Sequence, residues 1–262
     1  MEFLITTIVA VILLVGVESS CPDGCRCHAI SEGVAVYCNS RGLDSIPKKF
    51  PSDTYALHLE NNHISKIEEN AFNNLPNLTY LWLNNNDISK IAEKAFNNLP
   101  KLYGLHLGSN DISKIEKNAF NNLPSLTYLV LNNNHISKIE ENAFNNLPNL
   151  TFLYLINNTI SFVSGKAFAN LKQLQELNFT MDCSGCDNIP FWKWLKQVQN
   201  ITISVSCNDF DGNQLSSLQQ NDFTGCSAND GNGSVWCSRQ GDWKWLVCMF
   251  FMISLRYIMS NI

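Results

Sequence analysis

The chain has 262 residues, of which 45% are hydrophobic and ten are cysteines, and its formal net charge at pH 7 is -5. This charge argues against a nucleic-acid partner, because phosphate binding needs clustered Lys and Arg. Ten cysteines favour an oxidising compartment, where disulfides form and persist.

The first element is an almost unbroken apolar run over residues 3–17, which Glu18 and two serines separate from Cys21. An apolar core followed by small residues is typical of a secretory signal peptide, although no Lys or Arg precedes this one. A membrane-anchoring helix is the alternative. Because a cysteine-rich segment follows at once, we predict a signal peptide at residues 1–20.

The cysteines fall into three groups, and none lies between residues 39 and 182. The groups are Cys21, Cys25, Cys27 and Cys38, then Cys183, Cys186, Cys207 and Cys226, and finally Cys237 and Cys248. A metal site is the alternative for Cys183 and Cys186, but the secretory context favours disulfides. Spacing alone leaves three pairings open within each group of four.

Six asparagines are followed two residues later by Ser or Thr and are therefore candidate N-glycosylation sites. They are Asn77, Asn149, Asn157, Asn178, Asn200 and Asn232.

The central feature is a 24-residue repeat over residues 54–173, present in five copies. Each copy reads Leu-x-Leu-x-x-Asn, with a further Leu three residues earlier in the later copies, and continues with Ile, a second Ile or Val, Phe and Leu. The two leucines that are two residues apart point the same way from a short strand. A single coil cannot bury that face, but stacked coils can, which predicts a curved solenoid with parallel strands lining its concave side. Leu174, Leu177 and Phe179 begin a sixth strand.

One asparagine recurs at the turn after every strand, and we expect it to satisfy backbone groups there. We call this set the asparagine ladder: Asn62, Asn86, Asn110, Asn134 and Asn158.

These repeats resemble the extracellular leucine-rich-repeat family, and the flanking cysteine groups are similar to its terminal caps. The resemblance implies an α/β leucine-rich-repeat solenoid with disulfide-bonded caps at residues 21–53 and 174–226. It also implies that cap cysteines pair first with third and second with fourth. The implied bonds are Cys21–Cys27, Cys25–Cys38, Cys183–Cys207 and Cys186–Cys226. This chain departs from the family in the spacing of Cys183 and Cys186 and in having Asn178-Phe-Thr where Asn-Pro-Trp is usual.

The copies differ most at the strand positions between the core leucines, while the outer segments of the first four copies, such as ISKIEENAFNNLP, differ at only three positions. Side chains at the variable positions alternate with the buried leucines, so they should project from the concave sheet. A uniform scaffold with a varied inner face favours a binding surface. Drift after tandem duplication is the alternative, but drift should also have changed the outer segments.

The predicted ligand-binding residues include several aromatic side chains, which suggest a partner site, although aromatics are also common on strands. The predicted set is Tyr80, Trp82, Asn84, His106, Tyr128, Val130, Phe152, Tyr154 and Ile156.

The sequence gives little support for catalysis, so we predict that the protein is not an enzyme and has no cofactor and no metal. His58 and His106 share a face but should lie two strands apart, too far to chelate one metal. His58 and Glu60 face the same way, but no nucleophile is evident nearby.

The tail, residues 227–262, contains a small polar stretch and an eleven-residue apolar run at residues 245–255. The run is too short for a comfortable membrane span of about 20 residues. The arrangement favours a lipid-anchor (GPI) signal, with plain secretion and a poor membrane helix as alternatives.

Within the family, the chain resembles the variable lymphocyte receptors of jawless vertebrates and related chordate proteins, although it lacks their Thr/Pro-rich stalk. This resemblance implies a secreted or cell-surface receptor that binds a protein or carbohydrate ligand in immune recognition. Its contacts would be the concave strands and the cap loop at residues 208–220. A cell-adhesion or matrix protein of the same fold is the alternative.

Overall fold

The computed structural model describes residues 21–116, 118–141, 143–183, 186–198, 201–208, 214–218, 226–228 and 235–237. The predicted signal peptide, the apolar tail, Asn200 and Asn232 lie outside these residues. In chain order the strands are β1 (Arg26–Ile30), β2 (Gly33–Tyr37), β3 (Thr54–His58), β4 (Lys66–Ile67), β5 (Tyr80–Trp82), β6 (Lys90–Ile91), β7 (Gly104–His106), β8 (Tyr128–Val130), β9 (Lys138–Ile139), β10 (Phe152–Tyr154), β11 (Phe162–Val163), β12 (Glu176–Met181), β13 (Thr202–Cys207), β14 (Cys226–Ala228) and β15 (Val235–Cys237).

A nine-stranded sheet runs through the described chain in the order β1-β2-β3-β5-β7-β8-β10-β12-β13. The pair β1–β2 is antiparallel, and every later pair is parallel. The register follows the 24-residue frame, so Leu81 lies opposite Leu57 on one side and Leu105 on the other. The predicted leucine-rich-repeat solenoid is confirmed, and β12 is the predicted sixth strand.

The core behind the sheet is continuous from one coil to the next. The strand leucines are fully buried. Behind them one phenylalanine from each coil stacks on the next, with ring centroids 5.8–6.3 Å apart. This stack consists of Phe72, Phe96, Phe120, Phe144 and Phe168. Each coil therefore buries its apolar face only because its neighbours supply the other half.

The asparagine ladder connects successive coils through buried hydrogen bonds. Asn110, only 4% exposed, shows the pattern. Its Nδ2 donates to the carbonyl oxygens of Leu107 and Leu83, both at 3.0 Å. Its Oδ1 accepts from the backbone nitrogen of Ile88, also at 3.0 Å. The same contacts recur at Asn86, Asn134 and Asn158.

The outer segments are turns with two short strand pairs, β4–β6 and β9–β11. Their recurrent asparagines have positive φ, a conformation that Asn tolerates better than most residues. The residues with this geometry at one recurrent position are Asn74, Asn98, Asn122 and Asn146. Backbone geometry therefore explains why these asparagines recur in the copies.

The N-terminal cap is the hairpin β1–β2, and the bonds Cys21–Cys27 and Cys25–Cys38 fasten it. Together with Cys183–Cys207 at the other end, these are pairings that the family resemblance implies. The Cys186–Cys226 bond stays a prediction, because it rests on side chains outside the described part.

The C-terminal cap consists of a 3-10 turn (Cys186–Asn188), helix α1 (Ile189–Gln197), strand β13 and a second 3-10 turn (Leu215–Ser217). The buried Asn188 binds backbone groups in this cap as the ladder asparagines do between coils. Its Oδ1 accepts from the Val163 nitrogen, and its Nδ2 donates to the Ser161 and Asp182 carbonyls. Gly165 lets α1 approach, since a Cβ there would lie 2.7 Å from that of Pro190. No helix in the described residues is long and apolar enough to cross a membrane.

We expect Asn110→Ala to lower the free energy of unfolding by about 2–4 kcal/mol, because it leaves three buried backbone groups without partners. Denaturant unfolding monitored by circular dichroism would measure the loss. Ser113→Ala, at an exposed position in the same coil, is the control and should change it by less than about 0.5 kcal/mol. Equal effects of the two substitutions would show that the ladder does not hold the coils together.

Candidate functional site: the concave face

The sheet brings the variable strand positions together in in-register columns. Tyr80 lies opposite Gly104, which lies opposite Tyr128, and Phe152 follows. Trp82, His106, Val130 and Tyr154 form the neighbouring column in the same way. All of these except Gly104 are half-buried, whereas the leucines between them are fully buried. The alternation expected from the sequence is therefore present.

Aromatic rings at the N-terminal end of this face stack in series. The Tyr37 and His58 rings are 4.6 Å apart with an interplanar angle of 12°, and His58 and Trp82 are 4.1 Å apart at 8°. Trp82 then approaches His106, with centroids 6.1 Å apart. His58 and His106 thus lie on either side of Trp82, because β5, which carries Trp82, lies between their strands β3 and β7.

The ring contacts continue towards the C-terminal end. The ring centroid of Tyr80 lies 5.6 Å from that of Trp82 and 5.8 Å from that of Tyr103. The centroids of Tyr103 and Tyr128 are 5.3 Å apart. Tyr128 stacks on Phe152 at 4.5 Å, and Phe152 contacts Tyr154 at 6.4 Å. Tyr55 also meets Tyr80, with centroids 5.7 Å apart. We call this connected set the aromatic stripe: Tyr37, His58, Trp82, His106, Tyr80, Tyr55, Tyr103, Tyr128, Phe152 and Tyr154.

Each ring of the stripe packs against at least one neighbouring ring rather than projecting alone into water. Gly104 contributes a notch at the third coil. A Cβ at that position would lie 3.1 Å from Cδ1 of Tyr80, so the absence of a side chain leaves room for the tyrosine ring. A surface ordered in this way loses little side-chain entropy when a partner covers it.

The central titratable groups of the face are held in their neutral forms. Burial is the main factor that raises the pKa of Tyr80 and of Tyr154 and that lowers the pKa of His106. A hydrogen bond with Tyr103 is the main factor that raises the pKa of Tyr128. The middle of the face is consequently polar at its hydroxyl groups and uncharged at neutral pH.

Carboxylates occupy the two ends of the stripe. Glu60 places Oε1 3.3 Å from Nδ1 of His58. At the other end Glu176 accepts hydrogen bonds from the Tyr154 hydroxyl at 3.2 Å and from Asn178 Nδ2 at 2.7 Å. Both carboxylates therefore bind stripe or neighbouring residues. Among the described residues no group of three or more His, Cys, Asp and Glu is arranged to hold a metal ion.

The remaining predicted contact residues lie on the same face but differ in accessibility. Asn84 and Val130 are half-buried, and Ile156 is 39% exposed. The predicted cap loop is described only at Asn208 and residues 214–218, where Trp192 Nε1 donates to the Leu218 carbonyl and Gln214 contacts Ser206. The rest of that loop lies outside the described residues.

Four members of the stripe are absent from the predicted ligand-binding set: His58, which shares the column of Trp82, and Tyr37, Tyr55 and Tyr103. Tyr55, inside β3, and Tyr103, immediately before β7, share one position of the 24-residue frame, where the other copies have Thr79, Thr127 and Thr151. That variation could have signalled them. Tyr37 belongs to the cap, whose pairing with β3 contains a register shift between Val34 and Ala35, so no repeat frame extends to it.

The described candidate glycosylation sites lie in different settings. Asn149 and Asn157 are exposed, and Asn77 is half-buried. Asn178 is half-buried on the concave face with its Nδ2 bound to Glu176, so a glycan there would break that contact.

Models of protein families match two parts of the chain. The leucine rich repeat N-terminal domain matches residues 20–51, and the leucine rich repeat matches residues 53–112, 77–136, 100–160 and 126–180. The chain belongs to the leucine-rich-repeat family.

Relatives of this leucine-rich-repeat protein match over short stretches. Leucine-rich repeat-containing protein 3 of Mus musculus is 46% identical over 63 residues, which are 24% of this chain and 24% of that protein. Decorin of Rattus norvegicus is 47% identical over 23% of this chain and 16% of its own length. Biglycan of Xenopus laevis is 47% identical over 22% and 15%. The aligned part is thus a quarter or less of each relative.

A solved structure extends the likeness to the fold of most of the chain. It is the octameric complex of Latrophilin 3, Unc5D and the leucine-rich-repeat part of FLRT2. One of its chains superposes with a TM-score of 0.62 at 27% identity, over 70% of this chain and 58% of that chain.

The lowered pKa of His106 predicts a pH dependence of stability. Burial favours neutral His106 in the fold, so below about pH 6.5, the ordinary pKa, protons bind the unfolded chain more readily and the fold loses stability. We expect the melting temperature of the wild type to fall as the pH is lowered from 7 to 5. The melting temperature of the His106→Gln variant should fall less over the same range. Parallel curves for the two proteins would contradict this assignment.

Proposed function

We propose that this leucine-rich-repeat protein is an extracellular recognition protein that binds a protein partner on its concave face. The observation that carries the proposal is the continuous aromatic stripe. Large aromatic side chains with a polar tip dominate the energetics of protein interfaces. A binding role, rather than catalysis, fits a face with a neutral, ring-lined centre.

The stacking geometry favours a protein over a carbohydrate as the partner. A sugar typically binds against an open ring face, but the parallel His58 ring lies 4.1 Å from Trp82 and covers one face of it. Tyr128 and Phe152 cover one another in the same manner at 4.5 Å. What the stripe offers is ring edges and hydroxyl groups, which suit the irregular relief of a protein surface.

The contrast between the two sides of the solenoid supports selection on the concave face. Backbone geometry explains the recurrent outer asparagines, but it does not explain the outer lysine row Lys66, Lys90, Lys114 and Lys138. The side chains of Lys66 and Lys114 are both 63% exposed, yet the first four coils all have lysine at this position and only the fifth differs, with Phe162. Drift alone would have changed these open positions before the half-buried concave ones.

The relatives bear on the kind of recognition. The names Decorin, Biglycan and FLRT2 favour an adhesion or matrix role, whereas the varied concave columns favour the immune role that the variable-lymphocyte-receptor resemblance implies. Sequencing the locus in many individuals separates the two. Concave codons that vary while outer codons stay fixed would support immune recognition, and one fixed sequence would support adhesion.

We expect Trp82→Ala and Tyr154→Ala each to weaken partner binding at least about thirtyfold, because each removes a central interface anchor of about 2 kcal/mol or more. Surface plasmon resonance against an array of cell-surface ectodomains, including those of Latrophilin 3 and Unc5D, would identify the partner and measure the affinity. The matched controls Lys90→Ala and Lys114→Ala, on the outer row, should bind as the wild type does.

Thermal unfolding of each variant keeps the result interpretable. The leucines that flank Trp82 and Tyr154 along the chain are fully buried, so the fold should survive the truncations. If the double variant Trp82→Ala/Tyr154→Ala is folded and binds the partner with wild-type affinity, the concave-face proposal is wrong.

We propose further that residues 227–262 direct attachment to the cell surface through a lipid. A phosphatidylinositol-specific phospholipase should release the protein from transfected cells, since it cleaves the lipid rather than the chain. Mass spectrometry of the released protein should find residues 245–262 removed. Protein that stays on the cells and retains those residues would contradict a lipid anchor.

A further inference from the structure

The N-terminal cap contains an open pocket beside the aromatic stripe. It has a volume of about 490 Å³ and is lined by Arg26, His28, Tyr37, Asn39, Ser40 and Arg41. The hairpin accounts for this convergence. Arg26 and His28 are two residues apart on β1, and Tyr37, the strand partner of Arg26, extends towards Asn39 on the same face.

Both guanidinium groups of the pocket are free to bind an anion. Arg26 and Arg41 are exposed, and neither forms an ion pair or a side-chain hydrogen bond with any described residue. Arg41 uses only its backbone nitrogen, which donates to Asn62 Oδ1. Two arginines that line one pocket without a lining carboxylate suit charge-assisted hydrogen bonds to the oxygens of a carboxylate or sulfate group.

The charge of this pocket is local rather than a property of the whole cap. Residues 21–53 carry four basic and four acidic side chains, and none of the acidic ones lines the pocket. Glu60, two residues after the neighbouring strand β3, places Oε1 3.3 Å from His58 Nδ1 and forms no ion pair with either arginine. An anion would therefore meet two arginines without an acidic lining residue at this point of the cap.

Tyr37 connects the pocket to the proposed interface. It lines the pocket, meets His28 edge-on at 5.6 Å, and stacks on His58 at 4.6 Å at the start of the aromatic stripe. A partner that lies along the stripe would extend directly into the pocket.

We propose that the pocket binds an acidic side chain of the protein partner that occupies the concave face. The assignment rests on the proposed function for its partner. The strand columns of the five coils contain no Lys or Arg, so a polyanion such as a sulfated glycan would find positive charge at one end only. A partner segment with one acidic side chain next to apolar residues is complementary to this surface, where two arginines lie next to the uncharged aromatic stripe.

Two blocked dipeptides, N-acetyl-Glu-Tyr-amide and N-acetyl-Gln-Tyr-amide, are the probes, and saturation-transfer-difference NMR titration of the full mature protein measures their affinities. Wild type should bind the Glu peptide about fivefold or more tightly than the Gln peptide, because a charge-assisted hydrogen bond is stronger than a neutral one. The double substitution Arg26→Gln/Arg41→Gln should abolish that preference. The matched control Lys48→Gln/Lys49→Gln removes the same charge from exposed positions of the same cap and should keep it.

Equal binding of the two peptides by wild type, or equal loss in the control, would overturn the proposal. A heparin tetrasaccharide forms a third arm. Arginine-dependent binding of this sugar without binding of the Glu peptide would replace the acidic side chain by a sulfated glycan. The Arg variant leaves Trp82 and Tyr154 intact. The double variant Trp82→Ala/Tyr154→Ala separates the two proposals. If it keeps the preference for the Glu peptide and also binds the partner as the wild type does, the concave-face proposal is refuted but anion binding by the pocket is not.

Discussion

The buried asparagine between coils is the contact on which the rest of the structure depends. Each coil turns sharply after its strand, and the turn leaves backbone groups inside the molecule without partners. Asn110 satisfies such groups in its own coil and in the preceding one at the same time, through Leu107, Leu83 and Ile88. Since an unpaired buried polar group costs about 1–3 kcal/mol, the ladder holds successive coils in one register. A coil with a different length would break the contacts on both sides.

The fixed register produces the concave face. Because equivalent residues of every coil lie side by side, two side chains one frame apart are neighbours whatever their identity. Tyr128 and Phe152 stack at 4.5 Å for this reason. The fold places no demand on these positions beyond an intermediate degree of burial, so residues as different as Val130 and Trp82 occupy one column. Recognition can change there while the stacked phenylalanines and leucines behind the sheet stay the same.

The caps close the apolar ends of the solenoid and also make its two ends chemically different. The N-terminal hairpin adds Tyr37 to the stripe and places Arg26 and Arg41 beside it. The last repeat strand adds Glu176, which binds Tyr154, and the buried Asn188 completes the backbone contacts of the final coil. A partner on the concave face would thus meet two arginines in addition to a carboxylate at one end and a carboxylate at the other, so the two ends differ in charge.

The sequence by itself determined the solenoid, the register, the alternation of buried leucines with concave side chains, and the asparagine ladder. Each of these follows from a 24-residue period that repeats five times, because similar coils bury their apolar faces by stacking in register. Tertiary structure decided what the period does not encode. Tyr37 meets His58 through a cap strand with a shifted register, Asn188 reaches Val163 from a 3-10 turn, and Arg26 and Arg41 line one pocket. Each of these arrangements brings a cap residue near a residue many positions away in sequence, and where the chain does not repeat only the folded backbone determines such distances.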